Sequence, residues 1–197
     1  MNYSIYAEST PNPEVMKFVA NRMLADKSIE ISTLKEAKGI SIAEELLRFP
    51  FVKSIYLGSN FISVAKSGEI KWEDIAMQLR IFIADHLNSN RIKNYTEHLS
   101  SLEANFINNP NDEGKRAKEL NANEKEIAAI LDEYIAPAVE ADGGAITLNY
   151  YKDNIVCVDL RGACSGCPSS TSTLKGGIEA LLKQKVSPDI KVIANEK

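Results

Sequence analysis

The stretch Arg161–Gly162–Ala163–Cys164–Ser165–Gly166–Cys167–Pro168–Ser169–Ser170–Thr171 limits the possible folds more than any other part of the chain. Before it, Ile155 to Leu160 alternates in polarity like a strand; after it, Leu174 to Leu182 carries apolar residues at helical spacing. A strand must therefore hand the chain to a helix across a short joint that holds two cysteines. Glycines allow the sharp turn, and Pro168 suits a first helical position. Serines and threonines beside it can cap the first amides of the helix. A thiol there feels the positive helix end, which favours the thiolate. In form this is a redox or metal-cluster site. Loops at helix starts are exposed, so a buried structural cysteine pair is disfavoured.

Around the joint, residues 122–197 read as one small domain. Ile127, Ile130, Leu131, Tyr134, Ile135 and Ala138 mark an amphipathic helix starting near Asn121 or Asn123, bent by Pro137. Asp142–Gly143–Gly144 ends it. Ile146, Leu148 and Tyr150 alternate on one strand, and Lys152–Asp153–Asn154 turns the chain. Val156, Val158 and Leu160 continue the apolar face on the next strand. The helix after Pro168 carries Leu174, Ile178, Leu181 and Leu182, and Pro188 precedes a last strand from Ile190 to Ile193. The order is α-β-β-α-β. About 75 residues make only a thin core, near the lower limit for independent stability.

Residues 1–88 read as a second α+β domain, an antiparallel sheet covered by two helices. Strand-like runs occupy Asn2 to Ala7, Met16 to Asn21 and Ser28 to Thr33, with an irregular Thr10–Pro11–Asn12–Pro13 between the first two. Ser41 and Glu44 have capping-box spacing before a helix stripe of Ile42, Leu46 and Phe49. Val52 to Leu57 and Phe61 to Val64 form a hairpin across Gly58–Ser59–Asn60. A longer helix follows, with Trp72, Ile75, Leu79, Phe82, Ile83 and Leu87 recurring at helical spacing. Trp72 belongs to the core, and His86 is a structural histidine at a helix end.

Residues 89–121 connect the two domains. Ile92, Tyr95, Leu99, Leu102 and Phe106 form a heptad-like stripe, so the connector is partly helical; Asn108 to Gly114 is the break. His98 lies off the stripe and reads as a surface residue.

A net charge of -4 without a basic stripe points away from nucleic acid as a partner. No apolar run reaches the roughly 18 residues of a membrane span, so no membrane partner is expected. The start, Met1 to Glu8, lacks the pattern of a secretory signal. Three cysteines, two of them in one CxxC, make no disulfide framework and suit a reducing compartment. The expected location is cytoplasmic.

Cys164 and Cys167 could share a metal or form a disulfide. Cys157 lies on the opposite strand face from Val156, Val158 and Leu160, so it reads as a spare thiol. Two thiolates complete neither a tetrahedral zinc site nor a four-iron cluster. Two chemistries remain open. A thiol–disulfide oxidoreductase needs only the pair. A symmetric dimer supplies four thiolates by placing two loops on one axis, which suits a labile [4Fe–4S] cluster; zinc is chemically possible there too. No residue is placed as a general base, so no enzymatic turnover of a small substrate is expected.

Several motifs resemble a known family. Pro137–Ala138–Val139–Glu140–Ala141–Asp142–Gly143–Gly144, Leu160 to Thr171 and Thr173–Leu174–Lys175 resemble the NifU C-terminal domain of Nfu-type iron–sulfur cluster scaffold and carrier proteins. Thr10–Pro11–Asn12–Pro13, Lys17–Phe18, Pro50 to Ile55 and the helix from Trp72 are similar to the Nfu N-terminal domain. The resemblance implies a [4Fe–4S] cluster bound as cofactor and cargo through Cys164 and Cys167 of a homodimer. Upstream cluster-assembly proteins would be its donors and apo iron–sulfur proteins its recipients, with the N-terminal domain helping to recognise partners. Val19–Ala20–Asn21–Arg22 departs from the proline–glycine turn frequent in the family, and the connector is extended.

Overall fold

The computed structural model describes residues 2–89, 121–166 and 168–195, with the side chains of 168–172 outside that set. The chain divides into two compact units: Met1–Ser9 with Pro13–Lys118, and Thr10–Asn12 with Glu119–Lys197. The connector stripe from Ile92 to Phe106, His98 and the break from Asn108 to Gly114 lie outside the described residues.

The first unit is the expected antiparallel sheet with two helices. Its strands are β1 (Ile5–Ser9), β2 (Val15–Ala20), β3 (Ile29–Ile31), β4 (Val52–Leu57) and β5 (Phe61–Lys66), in the order β1-β2-β5-β4-β3. The helices are α1 (Ser41–Leu46) and α2 (Trp72–Asn88). The hairpin β4–β5 forms across Gly58–Ser59–Asn60, and β2 joins its free side with Phe18 opposite Ile62. Phe18, Ile31, Ile55, Leu57 and Ile62 from the sheet meet Ile42, Leu46, Leu79 and Ile83 from the helices in one core. Trp72 packs at its margin, its indole N–H donating to the Pro13 carbonyl at 3.0 Å.

The expected Ser41 cap does not form. The cap position is Ile40, one residue earlier, so Ser41 is already helical. Its hydroxyl instead lies 3.0 Å from Nε2 of the buried His86, while Glu44 accepts from the Gly39 N–H at 2.8 Å. His86 Nδ1 is 3.7 Å from Glu45. The histidine thus ties α2 to α1, a structural role.

The second unit runs α3 (Ala122–Tyr134), α4 (Ala136–Ala141), β6 (Gly144–Lys152), β7 (Ile155–Gly162), α5 (Pro168–Lys185) and β8 (Lys191–Asn195). Pro137 divides the first helix into α3 and α4, as its missing N–H requires. A capping box starts α3: Asn121 Oδ1 accepts from Glu124 N–H at 2.9 Å, and Glu124 Oε2 accepts from Asn121 N–H at 3.0 Å. The other oxygen of Glu124 accepts from the Tyr151 N–H at 3.3 Å and joins the helix start to the sheet. β6 and β7 are antiparallel across a turn whose Asp153 and Asn154 both have positive φ. β8 runs parallel to β7, which requires a crossover, and α5 supplies it.

One residue sits on the face opposite to the expected one. The register shifts between Leu148 and Tyr150, a bulge that adds one residue to β6. Tyr150 therefore stands opposite Cys157 on the outer face, and Tyr151 packs against the core in its stead.

Candidate metal centre

β7 ends where β6 begins, with Gly144 paired to Gly162. Beyond that pair the chain turns through Gly162 to Gly166 toward α5. Gly162 and Gly166 have φ of 62° and 70°, a backbone region that glycine enters without steric cost. The Ser165 N–H closes the turn onto the Gly162 carbonyl at 3.1 Å. The Asp142–Gly143–Gly144 turn lies alongside: the Ala163 N–H donates to the Gly143 carbonyl at 3.1 Å. Glycine is needed at this second turn as well, since Gly143 has φ of 83°.

Cys164 points inward. Only 5% of its surface is exposed, and it belongs to the same apolar cluster as Ile127, Leu131, Ile178 and Leu182. This corrects the expectation of an exposed thiol. The loop backbone is at the surface, but the turn at Gly162 directs the Cys164 side chain back under β6. Cys167 lies outside the described residues. The structure therefore places one of the two expected ligands, on the loop between β7 and α5.

Two further features of this loop were not legible in the sequence. Within the second unit, the buried Asn12 amide donates to the Ala163 carbonyl at 3.0 Å and reaches that of Ser165 at 3.5 Å. No sequence signal links positions so far apart. Gly144, legible only as a turn residue, is also a gap in the wall around Cys164. A methyl group added there would stand 2.8 Å from the Cys164 sulfur.

Cys157 is different in kind. It is 4% exposed, on the outer face, under Tyr150. Burial pushes its thiol up from the usual range; a hydrogen bond with Tyr150 works the other way, and the charge of Asp159 adds to the rise. Tyr150 is raised too, by desolvation first and then by Cys157. A thiol held protonated is neither nucleophile nor metal ligand. Among the described residues, no three His, Cys, Asp or Glu side chains gather as a metal site, and no helix is long and apolar enough to cross a membrane.

Two family models match the chain. Residues 5–90 match the scaffold protein Nfu/NifU N terminal, and residues 127–193 match the NifU-like domain. Among curated relatives, the human NFU1 iron-sulfur cluster scaffold homolog, mitochondrial, is 33% identical over 91% of this chain and 66% of its own length. NifU-like protein 4, mitochondrial, of Arabidopsis thaliana is 28% identical over 98% of this chain and 65% of its own. The chain thus spans about two thirds of the length of these relatives or slightly less. A solution structure of a NifU-like protein from Saccharomyces cerevisiae covers 46% of this chain and 87% of that one, with 22% identity and a TM-score of 0.37.

These relatives, and those from several Drosophila species, are named as mitochondrial proteins. That overturns the cytoplasmic expectation. Free thiols report on redox conditions and not on which compartment supplies them, so cysteine usage was a poor guide to address. With family models matching both of its domains and a human relative 33% identical over 91% of its length, the chain belongs to the Nfu/NifU family.

Proposed function

We propose that this protein is a non-enzymatic iron–sulfur cluster scaffold and carrier. It holds a labile [4Fe–4S] cluster between two copies, through Cys164 and Cys167 of each, and passes it to apo iron–sulfur proteins. Upstream assembly proteins supply the cluster. The observation that carries this reading is the half-site itself. The loop between β7 and α5 brings in Cys164, its sequence adds Cys167, and no further ligand group gathers among the described residues of the second unit. Thiolate is the donor that iron in such clusters takes, and four are needed. A second copy of the loop completes the number.

The residues of the chain have separable duties. Cys164 and Cys167 bind iron. Gly162 and Gly166 let the loop turn between strand and helix, and the Gly143 carbonyl holds its first amide. The family to which the chain belongs, together with its relatives named as iron-sulfur cluster scaffold homologs, supports the scaffold reading. The oxidoreductase alternative needs an accessible attacking thiol, and burial covers Cys164 against that use as it does against iron.

Anaerobic reconstitution tests the reading. About four irons per dimer are expected, with broad visible absorption, if four thiolates hold one cluster. Cys164→Ser and Cys167→Ser should each abolish it, and the loaded protein should activate an apo four-iron enzyme. Stoichiometric zinc in place of a transferable cluster would sink the proposal.

A further inference from the structure

The inward position of Cys164 is at odds with a ligand shared between two copies. Such a sulfur must face outward, across an axis, toward iron that neither copy encloses. In the structure it faces the core instead. The space it occupies exists because residue 144 has no side chain: a Cβ there would meet the Cys164 sulfur at 2.8 Å, the Cys164 N at 3.1 Å and the Arg161 carbonyl oxygen at 2.7 Å. Those distances are too short for ordinary contacts between such atoms. The gap at Gly144 is therefore closed by backbone of Arg161 and Cys164 and by one side-chain atom, the sulfur of Cys164.

The loop has a glycine at each end. Gly162 and Gly166 bracket the segment, both at positive φ. Among the described residues, nothing lies within 4 Å of a Cβ built on Gly166, so a methyl group there meets no clash with them. The closed loop is held by backbone contacts from Ala163 to Gly143, from Ser165 to Gly162 and in the Gly144–Gly162 pairing, and by the Asn12 amide on the Ala163 and Ser165 carbonyls.

We propose that Gly144 is a positioning residue for Cys164. Its notch stores the ligand sulfur inside the second unit in the cargo-free protein, and the Gly162–Gly166 turn must swing that sulfur out before a cluster can bridge two copies. This rests on Cys164 being a ligand. It adds that the protein without cargo keeps this ligand covered, so that loading is gated by the loop. No bond is made or broken in the step; one thiol exchanges a packed environment for an exposed one.

The test is cysteine alkylation of the full-length, reduced, cargo-free protein with N-ethylmaleimide, followed residue by residue by mass spectrometry. In the native protein, Cys164 should react about 100-fold more slowly than in urea, as expected for a site reached through local opening. The rate should level off at high reagent, when opening becomes limiting. Gly144→Ala fills the notch and should speed Cys164 labelling about tenfold or more, with Cys157 still protected as the sign of an intact fold. Gly166→Ala adds no clash but disfavours the closed turn, and should speed it about three- to tenfold. The second variant stands if the first fails to fold.

Native labelling of Cys164 as fast as in urea would overturn the proposal. So would Gly144→Ala and Gly166→Ala that both leave the rate unchanged with Cys157 protected. None of these readings involves iron. A protein that fails to bind a cluster yet shows gated Cys164 labelling would refute the scaffold reading and not the notch.

Discussion

The two units solve the same packing problem with different margins. The first lays two helices against five strands, and its core is finished in the chain as it stands. The second has three strands, and its fully buried leucines and isoleucines, Ile127, Leu131, Ile178, Leu182 and Ile190, are fewer than those of the first among the described residues. Among the buried groups of that smaller core is Cys164, the sulfur the proposed function needs at the surface. A thick core can be purely structural. In a thin one, a side chain with a second duty is a large share of the whole.

The largest expected difference comes from one substitution made in each unit. Leu79 and Leu182 are both buried, on α2 and α5. Leu→Ala at either should cost about 2–5 kcal/mol. The first unit should survive that loss, whereas the second, near the size limit for a stable core, should not. Hydrogen exchange read peptide by peptide in the full chain would show it. Leu182→Ala is expected to abolish protection from β6 to β8 and Leu79→Ala to weaken, but keep, that of β2 and β5. Equal residual protection in the two units would break the comparison.

Next in size is the position with two duties. Cys164→Ser places a hydroxyl in an apolar pocket and should lower the stability of the cargo-free second unit by about 1–3 kcal/mol. Cys164→Ala removes only the sulfur, at a cost of about 1 kcal/mol. Both should lose the cluster alike. Denaturant unfolding beside iron analysis separates the effects, and a serine variant as stable as the wild type would mean the pocket is not dry.

How far the sequence reaches follows from what each feature depends on. Among the described residues, the alternating runs became strands and the helical stripes became helices, because both are local patterns with one face buried. The strand-to-helix joint and Pro168 at the first turn of α5 were legible for the same reason. The failures have tertiary causes. Ser41 had the right spacing for a cap, but His86 on another helix offered its hydroxyl a partner. Tyr150 had the right parity, but a bulge consumed one residue of it. At the candidate site, the ligand types and the glycine turn were readable, while the direction of the Cys164 side chain was not. That direction depends on a gap at Gly144, contributed by a strand that runs beside the loop.

A smaller effect is expected at the start of α3. Asn121→Ala removes the side-chain half of the capping box and should cost about 1 kcal/mol. The cost is modest, but Glu124 completes the box and also holds the Tyr151 amide. In a unit with little to spare, thermal unfolding of the second unit should shift by several degrees, whereas loss of the exposed Lys183–Glu179 ion pair alone should shift it less.

The smallest effect concerns how β8 is kept at the sheet edge. Glu179 on α5 accepts from the Val192 N–H at 3.0 Å and from Lys183 Nζ at 2.6 Å. The Lys183 hydrogen bond, then that of Val192, hold its carboxyl below the ordinary value of 4.5. A carboxylate whose folded pKa is depressed stabilises the fold above its unfolded pKa, and that contribution disappears as pH falls through the folded one. Protection of the Val192 amide should therefore hold from neutrality down to the ordinary carboxylate range and fall below it. Glu179→Gln keeps an oxygen for the Val192 amide but cannot titrate, so its protection should start lower at neutral pH and stay flat on acidification. A wild-type profile as flat as that of Glu179→Gln would mean that α5 holds β8 by apolar packing alone, and that even the thin unit needs no charge to keep its last strand.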